Sequence, residues 1–218
     1  MFASRQDAGQ QLARYLQQEG VQGDFIVGLP RGGVVVAAEV AHEMRLPLDV
    51  VVVRKIGHPW HREFAVGALA ENGVVVLDQA VLNKNSFIRE DLDDIIAEER
   101  TRLQDYQMKF RRAIAHDFKG KAVILVDDGL ATGATTEAAV LSIKKQDPAR
   151  VTVAAPVGSI NAVERLRQVA DDVCVLWVDP EFDAVGRYYL TFTQTTDEEV
   201  MELLKSNAYA ATSGVREG

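Results

Sequence analysis

Val123-Ile124-Leu125-Val126-Asp127-Asp128-Gly129-Leu130-Ala131-Thr132-Gly133-Ala134-Thr135-Thr136 is the stretch whose reading decides the fold. Four aliphatic residues without polar alternation read as a parallel strand buried on both faces. Two adjacent carboxylates, Asp127 and Asp128, arrive at its carboxyl end, where open α/β sheets bind ligands. Small residues then leave room for backbone to approach a ligand closely. A helix starting near Ala134 aims unpaired N–H groups and its positive dipole end at the same loop. Acceptors for vicinal hydroxyls therefore stand beside donors for a phosphate, an arrangement suited to a ribose 5-phosphate.

Outward from this stretch, strands and helices alternate. Ser4 and Asp7 form a capping box before a helix over about Arg5 to Glu19. Phe25 to Leu29 is a short apolar strand that Pro30-Arg31-Gly32-Gly33 turns into a helix over Val34 to Met44. Asp49 to Lys55 carries Val50 to Val53, a second buried strand, and Val74 to Leu77 follows the hairpin-type turn Asn72-Gly73. Ala122 to Asp128 leads into a helix over Ala134 to Lys145. Strands over Val151 to Val157 and Val173 to Val178 flank a helix near Asn161 to Ala170. The expected fold is α/β, an open, mostly parallel sheet with helices on both faces, in a single domain over residues 1–218.

Within Ser86 to Arg112, Ile88, Leu92, Ile95, Ile96, Leu103, Tyr106 and Phe110 recur at helical spacing, and most positions between them are charged. This predicts a long amphipathic helix, packed on its own domain or against a second copy of the chain. Ser206 to Gly218 reads as a frayed tail.

Apolar content of 47% and charged content of 26% in 218 residues are ordinary for a globular protein. A net charge of −8 argues against general nucleic-acid binding, which needs a basic face. Cys174, the one cysteine, excludes an internal disulfide and reads as a buried core thiol. Residues 1–7 have no signal-peptide apolar run, and no stretch approaches about 18 apolar residues. The expectation is a cytoplasmic protein with no membrane and no nucleic-acid partner.

Gly28-Leu29-Pro30-Arg31-Gly32-Gly33 is a second strand-to-helix loop, with backbone N–H groups at Gly32 and Gly33 and a forked cation at Arg31. Arg54-Lys55 closes the next strand at the same sheet edge and reads as a phosphate contact. No G-x-x-x-x-G-K-[ST] or G-x-G-x-x-G occurs, which disfavours a P-loop or dinucleotide site. His42 and His116 lie outside any motif, and the four histidines show no metal-ligand spacing.

Val126-Asp127-Asp128-Gly129-Leu130-Ala131-Thr132-Gly133-Ala134-Thr135 resembles the phosphoribosyl-pyrophosphate (PRPP) loop of the type I phosphoribosyltransferases. The similarity covers about residues 24–157. Phe2 to Leu12, Arg54 to Gly57, Glu63 to Gly67 and Phe182 to Gly186 are similar to an uncharacterised group of proteins carrying that domain. The resemblance implies that Asp127 and Asp128 hold the ribose 2′ and 3′ hydroxyls. Ala131, Thr132, Gly133, Ala134 and Thr135 then hold the 5′-phosphate, and Arg31, Gly32, Gly33, Arg54 and Lys55 face the pyrophosphate. His58, His61, Arg62 and Glu63 match a flexible loop that closes over PRPP. A hood over about residues 179–206 covers the base, with Phe182, Tyr188 or Tyr189 as stacking candidates; the alternative is that these aromatics pack a C-terminal strand. The long helical segment 86–112 is an insertion.

The implied reaction transfers a phosphoribosyl group from PRPP to a nitrogenous acceptor, a nucleobase or related amine, and releases pyrophosphate. Asp127, Asp128, Lys55 and Arg31 would carry it. Mg²⁺ would come with PRPP, so no firm protein ligand is expected. Ala131 stands where many purine enzymes carry an aspartate that assists proton transfer, so the acceptor stays unassigned. The acceptor is then a nucleophile that needs no protein base there, or one served by Glu63 or a loop histidine. The alternatives are a non-catalytic PRPP- or nucleotide-binding regulatory module and a different phosphosugar enzyme. A homodimer is compatible with all three.

Overall fold

Residues 1–78, 82, 89–110 and 117–213 are the ones described in the computed structural model of the chain. Five parallel strands form the main sheet: β1 (Phe25–Gly28), β2 (Leu48–Val50), β6 (Ala122–Val126), β7 (Arg150–Ser159) and β8 (Asp172–Asp179). Their order is β2-β1-β6-β7-β8, which places β1 and β6 side by side at the centre. Gly28 pairs with Val126 there, so the loops after both strands leave the sheet together.

The uniform apolar runs are explained by burial on two faces. Ile26, Ile124, Val126 and Ala154 point into one core, with Leu12 and Leu16 of α1 (Arg5–Gln18) and Val36 and Val40 of α2 (Gly32–Met44). Val27, Val123, Leu125 and Val153 point into the other, with Val140 and Ile143 of α4 (Ala134–Lys144) and Leu166 of α5 (Ile160–Leu166). Strand neighbours alternate between these cores, as pleating requires. Cys174 is buried in the first core, and burial pushes its thiol up to about 11.

Three further strands make a separate antiparallel sheet: β3 (Val53–Gly57), β4 (Ala65–Ala70) and β5 (Val74–Leu77). This divides the expected strand over Asp49 to Lys55 into two. The chain leaves the parallel sheet at Val51-Val52, where the buried Glu71 carboxylate accepts a hydrogen bond from the Val52 N–H at 2.9 Å. Asn72 and Gly73 both have positive φ and form the expected tight turn. Strand β4 has no counterpart among the expected elements.

Helix α3 (Arg89–Phe110) realises the long amphipathic helix; residues 86–88, with Ile88, and 111–112 lie outside the described residues. Leu92, Ile95, Leu103 and Phe110 are buried in the chain's own first core, so the apolar stripe is spent within the molecule. His116 also lies outside the described residues. Helix α6 (Asp197–Ser213) takes up part of the expected frayed tail, and residues 214–218 are not described. No helix among the described residues is long and apolar enough to cross a membrane.

Candidate functional site

Asp127 and Asp128 emerge from β6 into a crevice of about 370 Å³ that also contains Pro30, Lys55 and the whole loop from Gly129 to Thr136. The Asp127 carboxylate accepts hydrogen bonds from the Asp128 N–H at 2.9 Å and the Thr136 hydroxyl at 3.2 Å. The Asp128 carboxylate accepts from Arg5 Nε at 2.7 Å, and its backbone carbonyl accepts from the Tyr189 hydroxyl at 2.6 Å. Desolvation is the main force on both acids. It pushes Asp127 up to about 7, with the charge of Asp128 adding to the shift. It also raises Asp128, against the opposing charge of Arg5. The Lys55 ammonium favours the ionised form of both.

The loop after the acids is anchored from below and open above. Leu130 exchanges backbone hydrogen bonds with β7: its N–H donates to Val157 at 2.9 Å and its carbonyl accepts from Ser159 at 2.9 Å. The Ser159 hydroxyl donates to the Ala131 carbonyl at 2.6 Å. Gly133, at φ 74°, is the residue before α4 and turns the chain into it through a conformation that L side chains rarely adopt. Ala131 and Thr132 are exposed, and the Ala134 N–H has only a long 3.4 Å contact to the Thr132 hydroxyl. An N-terminus with loosely engaged donors beside two carboxylates can take a phosphate on one side and hydroxyls on the other.

The second loop packs against the acids. A Cβ on Gly32 would lie 2.0 Å from Asp128 Oδ2, and one on Gly33 would lie 3.0 Å from Asp127 Cα. The Pro30–Arg31 peptide is cis. The Arg31 side chain turns toward α6, where its guanidinium is 3.7 Å from Asp197. It lines a neighbouring cavity of about 760 Å³, shared with Arg54, Lys55, Arg62 and Arg102. Lys55 is exposed and lines both cavities.

Arg54 and Lys55 do not close a strand of the parallel sheet; they sit within β3 and alternate across it. Only Lys55 reaches the crevice. Arg54 donates to Glu99 of α3 at 2.8 Å and lies over the Tyr106 ring, 5.3 Å from its centroid. Arg54 thus faces α3 and the neighbouring cavity, apart from the crevice of the acids. Arg62, at the β3–β4 tip, donates to Glu98 at 3.0 Å, and Arg102 bridges Glu98 and Glu99. His61 and Glu63 are exposed beside it. His58 is buried among Trp60, His61 and Phe64, and its Nδ1 accepts from the Trp60 N–H at 3.2 Å. It packs the tip instead of presenting itself to a ligand.

Within residues 179–206, expected to form a hood, a 3₁₀ turn covers Val185–Tyr188, and Val185 lines the crevice. Tyr188 and Tyr189 are buried, with hydroxyls donated to Asp179 and to the Asp128 carbonyl. Neither presents a free face, as expected of aromatics that pack the C-terminal segment. Phe182 stacks on Tyr188 with centroids 5.3 Å apart, so one of its faces is also taken. Sequence reasoning missed Arg5, although a cation in the first turn of a helix opposes the dipole and signals a distant partner. It also missed Ser159, which carried no local signal. Among the described residues no group of three or more His, Cys, Asp or Glu side chains could hold a metal ion.

Comparisons with known proteins give the chain's family. Two Mycobacterium tuberculosis proteins, provisionally named phosphoribosyl transferases, are each 40% identical over 205 residues, 94% of this chain and 46% of theirs. The chain thus spans about half the length of these curated relatives. The crystal structure of TT1426 from Thermus thermophilus is 44% identical, covers 94% of this chain and 98% of its own, and superposes with a TM-score of 0.78. The phosphoribosyl transferase domain family matches residues 4–181, which take in every strand of both sheets, and the chain belongs to that family.

Proposed function

We propose that the protein transfers the phosphoribosyl group of PRPP to a nitrogenous acceptor, a nucleobase or related amine, with release of pyrophosphate. One observation carries the reading: the acid pair, the open loop from Ala131 to Thr135 and Lys55 line a single crevice. The acids accept the ribose hydroxyls, and the loop donates to the 5′-phosphate. Lys55, which lines both cavities, faces the leaving group, where negative charge grows, with Arg31 beside it in the neighbouring cavity. Positive charge on the ribose ring is stabilised by the nearby carboxylates. Positioning and electrostatics supply the catalysis, and no covalent intermediate is needed.

Mg²⁺ would come with PRPP and take most of its ligands from the pyrophosphate and water, with no firm protein ligand among the described residues. When bound, it would supply charge neutralisation to the pyrophosphate, beside the ammonium of Lys55. The acceptor enters on the hood side, away from the leaving group, where Val185 meets the crevice.

Calorimetry with PRPP, ribose 5-phosphate and pyrophosphate tests this reading. PRPP binds tightest, needs Mg²⁺, and is lost on Asp127→Asn combined with Asp128→Asn. An acceptor panel of purines, pyrimidines and small amines, read by mass spectrometry, then gives a phosphoribosylated product. Absence of PRPP binding overturns the proposal. Binding without turnover on the whole panel favours a regulatory module instead.

A further inference from the structure

Arg5 opens α1, where a positive charge is opposed by the helix dipole, so its position is not explained by the helix. Its side chain is only 11% exposed and spans from α1 to three other parts of the chain. Nε donates to Asp128 Oδ2 at 2.7 Å, and Nη1 donates to the Thr193 carbonyl at 2.7 Å. The guanidinium lies over the Phe192 ring, 3.9 Å from its centroid. Gly32 closes the other side, since a Cβ there would collide with Asp128 Oδ2 and Arg5 Nε at once. The Tyr189 hydroxyl holds the Asp128 carbonyl from the same hood segment.

We propose that Arg5 is a positioning residue for the phosphoribosyl site: it fixes the Asp128 carboxylate for the sugar and joins the hood to it. The consequence for ligand rests on the phosphoribosyl reading above; the contact itself does not. A planar fork can serve a carboxylate, a carbonyl and a ring face together, which an ammonium cannot. The charge environment agrees. Asp128 faces Asp127, Lys55, Arg5 and the Tyr189 hydroxyl, and Arg5 is the largest influence opposing its desolvation. Without Arg5 the carboxylate would gain a proton at higher pH and lose its aim. Affinity for the sugar would then depend on a residue 123 positions away in sequence.

The test follows the Asp128 carboxyl by ¹³C NMR and PRPP binding with Mg²⁺ by calorimetry across pH, in wild type, Arg5→Lys, Arg5→Met and Phe192→Leu. Arg5→Met raises the Asp128 titration and the acid limb of PRPP binding by about one pH unit or more. It weakens PRPP about tenfold at neutral pH and leaves inorganic phosphate binding unchanged. Arg5→Lys, which keeps the charge and loses the fork, falls between Arg5→Met and wild type. Phe192→Leu, which keeps the ion pair, shifts least. An Asp128 titration the same as wild type in both Arg5 variants overturns the positioning role. Failure of wild type to bind PRPP overturns the phosphoribosyl reading, while the carboxyl titration still decides Arg5. If Arg5→Met does not fold, the order Arg5→Lys above Phe192→Leu carries the test, and equal shifts in the two overturn it.

Discussion

Asp127 is held in a place that penalises its charge. Its folded pKa, pushed up to about 7 chiefly by desolvation, lies above the ordinary carboxyl value near 4. Between those values the folded state holds a proton that the unfolded state has released. Stability therefore falls as pH rises through this window, and the ionised pair weighs on the fold above it. Asp127→Asn should raise the melting temperature at pH 8 by a few degrees, on the order of 1–2 kcal/mol, with little gain at pH 4.5. Thermal unfolding across pH checks this; an equal gain at both pH values would refute the assigned cause. The same substitution should abolish PRPP binding, so stability and ligand affinity move in opposite directions. Gly32 gives a complementary prediction. Gly32→Ala places a methyl 2.0 Å from Asp128 Oδ2 and should weaken PRPP at least tenfold with the fold intact by circular dichroism. Unchanged affinity would show that this loop moves freely against the acids.

At the scale of elements, α3 decides what the β3–β4 hairpin can do. Glu99 is nearly buried and accepts from Arg54 and Arg102, whereas Glu98 is exposed and accepts from Arg62 and Arg102. Glu99→Gln should destabilise the protein by about 3 kcal/mol, because two guanidinium groups lose their buried partner. Glu98→Ala should change stability by less than about 0.5 kcal/mol but release the tip, so amide exchange over residues 58–64 rises. Protection unchanged in that segment would show that the Arg62 contact does not restrain it. These pairings also mark the limit of sequence reading. The 123–136 stretch was legible because strand, acids, loop and helix start are adjacent, and each is a local signal. The run Val50 to Val53 gave no sign of a break, since the group that stabilises it, the Glu71 carboxylate, lies 19 residues away. Arg54 read as a phosphate contact because its partner belongs to a helix 45 residues later.

At the scale of the whole molecule, the sheet and its layers followed from alternating apolar runs, while the covering of the site did not. The hood is set by long-range pairing: Phe2 N–H donates to Tyr188 at 2.7 Å, and Leu190 and Thr191 N–H donate back to Phe2 and Ala3. For Tyr188 and Tyr189 the residue types alone allowed both stacking on a base and packing of the C-terminal segment, because this partner lies at the other end of the sequence. Phe2 is buried against Tyr189, so Phe2→Ala should destabilise the protein by about 3 kcal/mol and raise amide exchange over residues 185–193. Exchange confined to residues 1–4 would contradict this coupling. The pairing also has a consequence for biosynthesis. Residues 2–5 leave the ribosome long before their partners at 188–193 exist. The acid pair and the loop after it can take shape on the growing polypeptide, yet their Arg5 clasp must wait for nearly two hundred residues to be translated. A nascent chain halted before then would carry a half-walled crevice.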